Sequence, residues 1–342
     1  MIRTTRPRCW VPLAASLCAL IAGPPAACAG EGGGTYTLQL ENDRIADTDR
    51  HYTHGTRLSW VSDRQTGGPE WARDLLETLY PLAEVRAGRI GFALGQNIYT
   101  PEDTESKGLV ADDRPYAGWL YGAVSLHAET KRRMSGIEID VLDSVELNLG
   151  VVGPYSLAED TQNTVHETIG VSRSHGWHNQ LDNEPAFSLF FERKWRPDAW
   201  RFADIEADAI PHVGGSIGNV FTLGNVGTTV RLGQDLALDY GPPHIRPTLS
   251  GLEAVDAHGR LGWYIFAGAE GSAVLRNIFL DGNTFSDSHH VDKNTFVGDI
   301  QVGVAVVIDD VRVAFTHVFR TREFGDQRRG DRYGTLSLSA HF

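Results

Sequence analysis

Two clusters of side chains in this sequence could carry chemistry. The first is Glu41-Asn42-Asp43, followed by Thr48-Asp49-Arg50 and Tyr52-Thr53-His54-Gly55. Carboxylate and amide oxygens at this spacing can hold a hard cation such as Ca2+, together with backbone carbonyls and water. Asn and Asp also serve ordinary turns, where they hydrogen-bond to nearby backbone. Strand alternation favours the chemical reading, because it sets Glu41 and Asp43 on one face with Gln39.

The second cluster is Thr161-Gln162-Asn163-Thr164-Val165-His166-Glu167-Thr168-Ile169. It has too few period-two matches for a strand and no breaker, which predicts a short helix with Gln162 and His166, at i and i+4, on the same side. An imidazole that titrates near neutrality suits a general base, and a neighbouring amide could fix its tautomer. The ordinary alternative for any one of the 13 histidines is a solvated loop residue. A third stretch offers Lys107 and Arg114 as candidate contacts to an anionic headgroup and Tyr99 as a further substrate contact, with a solvated charged loop as the ordinary alternative. Other chemistries find no motif. His166-Glu167 lacks the second histidine of a helical zinc site, Gly214-Gly215-Ser216-Ile217-Gly218 opens no βαβ unit, and there is no G-x-S-x-G elbow.

These residues need a scaffold. The chain has 342 residues, 41% of them hydrophobic, and a mean hydropathy of -0.25. No apolar run is long enough for a membrane-spanning helix, which excludes a helical bundle but leaves a β-barrel open. Residues 1–29 read as a secretory signal: Arg3, Arg6 and Arg8, an apolar run from Val11 to Ala22, and a small-residue cleavage site at Ala27-Cys28-Ala29. Pro25 argues against a lipid anchor at Cys28. All three cysteines lie in this leader, so the exported chain is expected to need no disulfide. The formal charge is -13, and the leader removes only arginines. An acidic chain whose basic clusters, Lys131-Arg132-Arg133 and Arg328-Arg329, are short argues against nucleic acid as a partner.

After Gly30 the prevailing period is two. Tyr36, Leu38 and Leu40 alternate with Thr37, Gln39 and Glu41, and Val311, Val313 and Phe315 alternate with Arg312, Ala314 and Thr316. Further candidate strands sit near 53–62, 89–97, 118–129, 137–141, 186–195, 203–213, 224–237, 261–272, 296–308 and 332–342, roughly 12 in all, an even number as bacterial barrels require. In the last, Leu336, Leu338, Ala340 and Phe342 share one face, and Tyr333, Thr335, Ser337 and Ser339 the other. Trp60, Tyr99, Trp119, Tyr121, Trp195, Trp263 and Tyr264, near strand ends, would fit interfacial girdles. Strand parity puts the long loops 43–52, 98–117, 148–185, 273–295 and 321–331 on one side. The connections 63–88, with a helix expected around Trp71 to Leu79, and 238–260 are long for the opposite end. The expected fold is therefore all-β: a single domain over 30–342, a transmembrane antiparallel β-barrel of about 12 strands with long outer loops and a short helix in the third of them.

Glu41-Asn42-Asp43, Asp49-Arg50-His51-Tyr52-Thr53-His54-Gly55, Gln96-Asn97-Ile98-Tyr99-Thr100-Pro101, Asp113-Arg114-Pro115-Tyr116-Ala117-Gly118 and Gln162-Asn163-Thr164-Val165-His166 occur in this order. As an ordered set they resemble the outer-membrane lipid A 3'-O-deacylase (LpxR-like) family, from about residue 35 to the C-terminus. The resemblance implies an outer-membrane barrel with its active site between the wall and the outer loops, a divalent cation usually taken as Ca2+, and lipid A of the outer leaflet as substrate. It carries the family's Asn-Asp pair onto Asn42 and Asp43, its threonine onto Thr53, and its glutamine and catalytic histidine onto Gln162 and His166. It also implies a lysine in the second outer loop, where counting from Gln96 lands on Ser106 beside Lys107. The family's tyrosine after the histidine has no match in Ser172-Arg173-Ser174-His175-Gly176-Trp177. The expected chemistry is ester hydrolysis, with His166 taking a proton from water and a cation near Asn42 and Asp43 facing the developing oxyanion. A phospholipase-type barrel esterase and a non-catalytic porin or adhesin are the alternatives.

Overall fold

A computed structural model describes residues 33–43, 51–63, 85–134, 137–170, 172–245 and 261–342. The leader, the helix expected around Trp71 to Leu79 and the loop residues 44–50 lie outside the described residues. The strands are β1 (Gly34–Asn42), β2 (His51–Ser62), β3 (Val85–Thr100), β4 (Ala117–Met134), β5 (Ile137–Val152), β6 (Glu184–Pro197), β7 (Trp200–Phe202), β8 (Ile205–Gly218), β9 (Phe221–Gln234), β10 (Leu261–Asn277), β11 (Phe296–Ile308), β12 (Val311–Arg320) and β13 (Asp331–His341). Each pairs antiparallel with its neighbours, β1 pairs with β13, and β6 pairs with β8, which closes the sheet. The three-residue β7 continues β6 below this closure and pairs with β8. The barrel thus has twelve staves, as the alternation predicted.

The alternation works inside out. On β13, Thr335, Ser337 and Ser339 are buried in the lumen while Leu336 and Leu338 are exposed; on β12, Arg312 and Thr316 are buried while Val313 and Phe315 are exposed. Apolar side chains facing out and polar ones facing in is the arrangement a bilayer selects, because closure leaves no unpaired backbone edge in lipid. Trp60, Trp195 and Trp263 follow the outward faces of their strands near one end of the barrel, and Tyr36 meets the terminal Phe342 there edge-on at 6.1 Å. Tyr99, Trp119, Tyr121 and Tyr264 do not join this girdle. They point inward and are buried because their parity sets them on the luminal face, where Tyr99, Trp119 and Tyr121 pack in one core cluster and Tyr264 packs with Leu236 and Phe266 in another.

The lumen is packed with charge pairs. Arg57 grips Glu146 with two hydrogen bonds of 3.0 and 2.8 Å, and Arg320 grips Asp299 at 2.9 and 2.8 Å. The connection after β9, long for the inner end, turns up into the barrel instead. Asp239 on it binds Arg231, Arg312 and the Tyr264 hydroxyl, and the Ile245 N–H donates to Glu41 at 2.7 Å. Two consequences are measurable. Because described residues plug the lumen from within, the protein inserted into a planar bilayer should give no stable ohmic steps; steady porin-sized conductance would contradict the plug. Asp239→Asn leaves two buried guanidinium groups short of charge, a loss of about 3–5 kcal/mol, and heat-modifiable gel mobility should convert at a lower temperature than in the wild type.

Candidate active site

At the long-loop end, four strands present one row of residues on the outer wall. Asn42 of β1 pairs with His54 of β2, His54 with Ile98 of β3, and Ile98 with Gly118 of β4. A β-bulge in β2 interrupts the register between Tyr52 and His54. The extra residue is Thr53, and the bulge turns it outward beside His54 while Tyr52 still faces in. Asn42 Nδ2 donates to the Thr53 carbonyl at 2.9 Å and lies 3.5 Å from His54 Nδ1. The Thr53 and Thr100 hydroxyls are 2.7 Å apart. Asn42 and Thr53 therefore form one unit on the outer face. Glu41, by contrast, sits in the lumen with Gln39, as its parity requires. Asp43 is buried just past the end of β1, where strand parity no longer sets its direction.

The third outer loop folds back over this wall. Gln96 Nε2 donates to the Ser156 carbonyl at 2.7 Å. A side chain at Gly118 would meet Ser156 Oγ and Ala158 Cβ at 2.1 and 2.2 Å, so only glycine lets the loop lie this close. The loop carries helix α1 (Ala158–Ile169), with Glu159 and Asp160 in its first turn and Gly170 closing it at a φ of 72°. Both ends suit the helix dipole and the left-handed cap. Its buried stripe is Ala158, Gln162 and His166, while Val165 is exposed. A helix that buries Gln and His and exposes Val inverts the usual pattern, so the buried polar face needs a purpose.

His166 Nδ1 lies 2.7 Å from the Ser172 carbonyl. A carbonyl can only accept, so Nδ1 carries the proton and Nε2 holds the lone pair. This carbonyl, rather than the neighbouring amide, sets the tautomer. Gln162 Oε1 accepts from Trp177 Nε1 at 2.8 Å, and Gln162 Nε2 is buried with no protein partner among the described residues. Ala158 stands over Gly118. His166 is two turns further along, about 12 Å, and Asn42 is three strands from Gly118 in the same row, about 14 Å.

Of the three expected substrate contacts, two turn away from the outer wall. Tyr99 faces inward, stacked on Phe279 with ring centroids 3.9 Å apart. Arg114 is fully buried and binds Glu323 at 2.7 Å. Both are structural, since parity and ion pairing keep them from the outer wall. Lys107 is exposed, and its carbonyl accepts from Asn179 Nδ2 at 3.1 Å. A cavity of about 500 Å³ opens between the loops 98–117 and 321–331, with His51, Asp113 and Gln327 on its wall, but its lining includes neither Gln162 nor His166. His51 bridges Asp331 at 2.7 Å and Asp113 at 3.3 Å, clamping these loops. Burial works to raise the Asp113 carboxyl, and the His51 ring, the Glu102 N–H and Arg114 outweigh it, so Asp113 titrates below the usual carboxylate range.

Sequence reasoning missed Trp177, Thr100 and the Ser172 carbonyl as partners. Trp177 is fifteen residues from Gln162, and nothing local signals a contact that loop folding creates.

Comparisons with known proteins bear on the family and the fold. The family model for "Outer membrane protein LpxR" matches residues 13–342. The structure of LpxR from Salmonella typhimurium is similar at a TM-score of 0.72 and 20% identity, covering 90% of this chain and 100% of that one. The β domain of the Bordetella autotransporter BrkA scores 0.46 at 8% identity, covering 91% and 99%. No curated protein matches the chain. With the match running over nearly the whole chain, and a twelve-stave barrel beneath it, the chain belongs to the LpxR family of outer membrane proteins.

Proposed function

We propose that this protein hydrolyses an ester-linked acyl chain of lipid A in the outer leaflet, on the outer wall of the barrel. The observation that carries the proposal is the inverted face of α1, with His166 buried and its Nδ1 on the Ser172 carbonyl, which leaves Nε2 able to take a proton. In that role Nε2 removes a proton from water as the water attacks the acyl carbonyl. Gln162 Nε2, a buried donor without a protein acceptor, faces the oxygen on which negative charge develops. Thr53, re-aimed by the bulge, positions the water or the oxyanion.

The donor chemistry at β1 fits a hard divalent cation such as Ca2+. With the Asn42 amide nitrogen turned to the Thr53 carbonyl, Asn42 and Asp43 offer an amide and a carboxylate oxygen, both ligands of the kind Ca2+ takes. Among the described residues no group of three or more acidic or histidine side chains converges, and backbone carbonyls, water and lipid oxygens are further ligands of the kind such a cation takes. When bound, it supplies positive charge toward the ester oxygen. Lys107, exposed at the loop tip, is a contact for a phosphate of the headgroup.

The wall supports a lipid substrate. Four residues below the row of Asn42, His54 and Ile98, the outer face presents Leu58 and Leu94, with Leu149 two strands on across Gly122, all three leucines exposed. An acyl chain can lie there while its ester reaches the row, without the lipid leaving the membrane. Detergent-solubilised protein should release fatty acid from lipid A and leave glycerophospholipid intact at the same detergent ratio. Cleavage of the phospholipid alone would move the activity to the phospholipase class.

A further inference from the structure

We infer that Trp177 is a positioning residue for the hydrolysis, holding the Gln162 amide so that its N–H2 end, not its oxygen, faces the scissile ester. The inference rests on the reading of Gln162 and His166 as the reacting face. A glutamine amide can present either end, and its partners decide which. An indole N–H is a donor only. At 2.8 Å from Trp177 Nε1, the atom of Gln162 must therefore be the oxygen. The opposite end is then the nitrogen, and it is buried with no protein acceptor among the described residues. Buried donors are nearly always satisfied, and one left open beside a buried histidine points to an acceptor that arrives with the substrate.

Trp177 is held firmly enough for this task. It is 1% exposed and packs with Ile98, Tyr116 and Ala158, its ring 5.0 Å from that of Tyr116. The turn that carries it is tied down on both sides. The His175 N–H donates to the Thr104 carbonyl at 2.9 Å, and the Leu181 N–H to the Tyr116 carbonyl at 3.0 Å. The Gln162 donors are thus oriented before substrate arrives, which is what makes a fixed dipole effective at a developing charge. Without the indole N–H, the amide can rotate and turn its oxygen toward the ester carbonyl, where it repels the charge.

The test is a double-mutant cycle on purified lipid A in detergent micelles with Ca2+. Trp177→Phe keeps an aromatic ring and removes the donor. It should lower kcat about tenfold with KM within about twofold, a fraction of the roughly 100-fold loss expected for Gln162→Ala. In the Gln162→Ala background, Trp177→Phe should cost less than about twofold more, because residues that act through each other are not additive. A second, undiminished tenfold loss, or an effect on KM alone, overturns the inference. Gln162→Glu keeps an acceptor for the indole but has no N–H2, so it should lose as much kcat as Gln162→Ala; full activity would also overturn the inference, even if Trp177→Phe failed to fold. Wild-type rates in Gln162→Ala would remove the underlying reading of the site. Normal loss there, with additive loss at Trp177, would leave that reading standing and remove only the positioning role.

Discussion

His166→Ala should lower fatty-acid release from lipid A by about 1,000-fold, within the range expected when a general base is removed, while heat-modifiable mobility stays that of the wild type. The large effect follows from the absence of a substitute. Among the described side chains of α1 the buried stripe offers only Ala158 and Gln162 besides His166, and neither titrates. The unchanged fold follows from location, because α1 lies over the outer wall while the barrel is held by its closed sheet and luminal ion pairs. His166→Gln is the sharper comparison: it keeps polarity and approximate length, and it should be as inactive as alanine if proton transfer is the function lost. An active glutamine variant would reduce His166 to packing.

Removing Asp43 is the second large effect. Asp43→Ala should cost at least about 100-fold in kcat, the scale of losing charge stabilisation at the oxyanion, and excess Ca2+ should not restore it. In the wild type, EDTA should abolish activity and Ca2+ should return it, since the side-chain donors at β1 are oxygens. Asn42→Ala should fall between the two, because it removes one oxygen donor and also the hydrogen bond that ties β1 to the Thr53 carbonyl. Full wild-type activity in EDTA would remove the cation from the account and leave Asp43 a buried structural carboxylate.

The barrel was legible because a bilayer imposes a strict rule on each strand. Leu336, Leu338 and Phe342 on one face of β13, with Thr335, Ser337 and Ser339 on the other, can be assigned from period two alone. The helix carrying Gln162 and His166 was legible for the same reason, as a break in that period. Three features were not. The bulge at Thr53 adds one residue without a local signature, and it alone sets Thr53 and His54 both outward. The plug after β9 reads as an overlong turn until Asp239 is seen to meet Arg231 and Arg312 from different staves. Tyr99 and Arg114 look like rim residues because their segment is polar, yet parity carries Tyr99 inward and Glu323 draws Arg114 into the loop core. Period and composition report a face; they do not report which partner waits there.

The central claim is that the outer wall beneath α1 cleaves an acyl ester of lipid A, and mass spectrometry of the lipid tests it most directly. Purified lipid A incubated with wild-type protein and Ca2+ should lose the mass of one acyl or acyloxyacyl group, with the matching fatty acid appearing, and should stay intact with His166→Ala or with EDTA. Intact lipid A with folded wild-type protein and Ca2+ would contradict the claim.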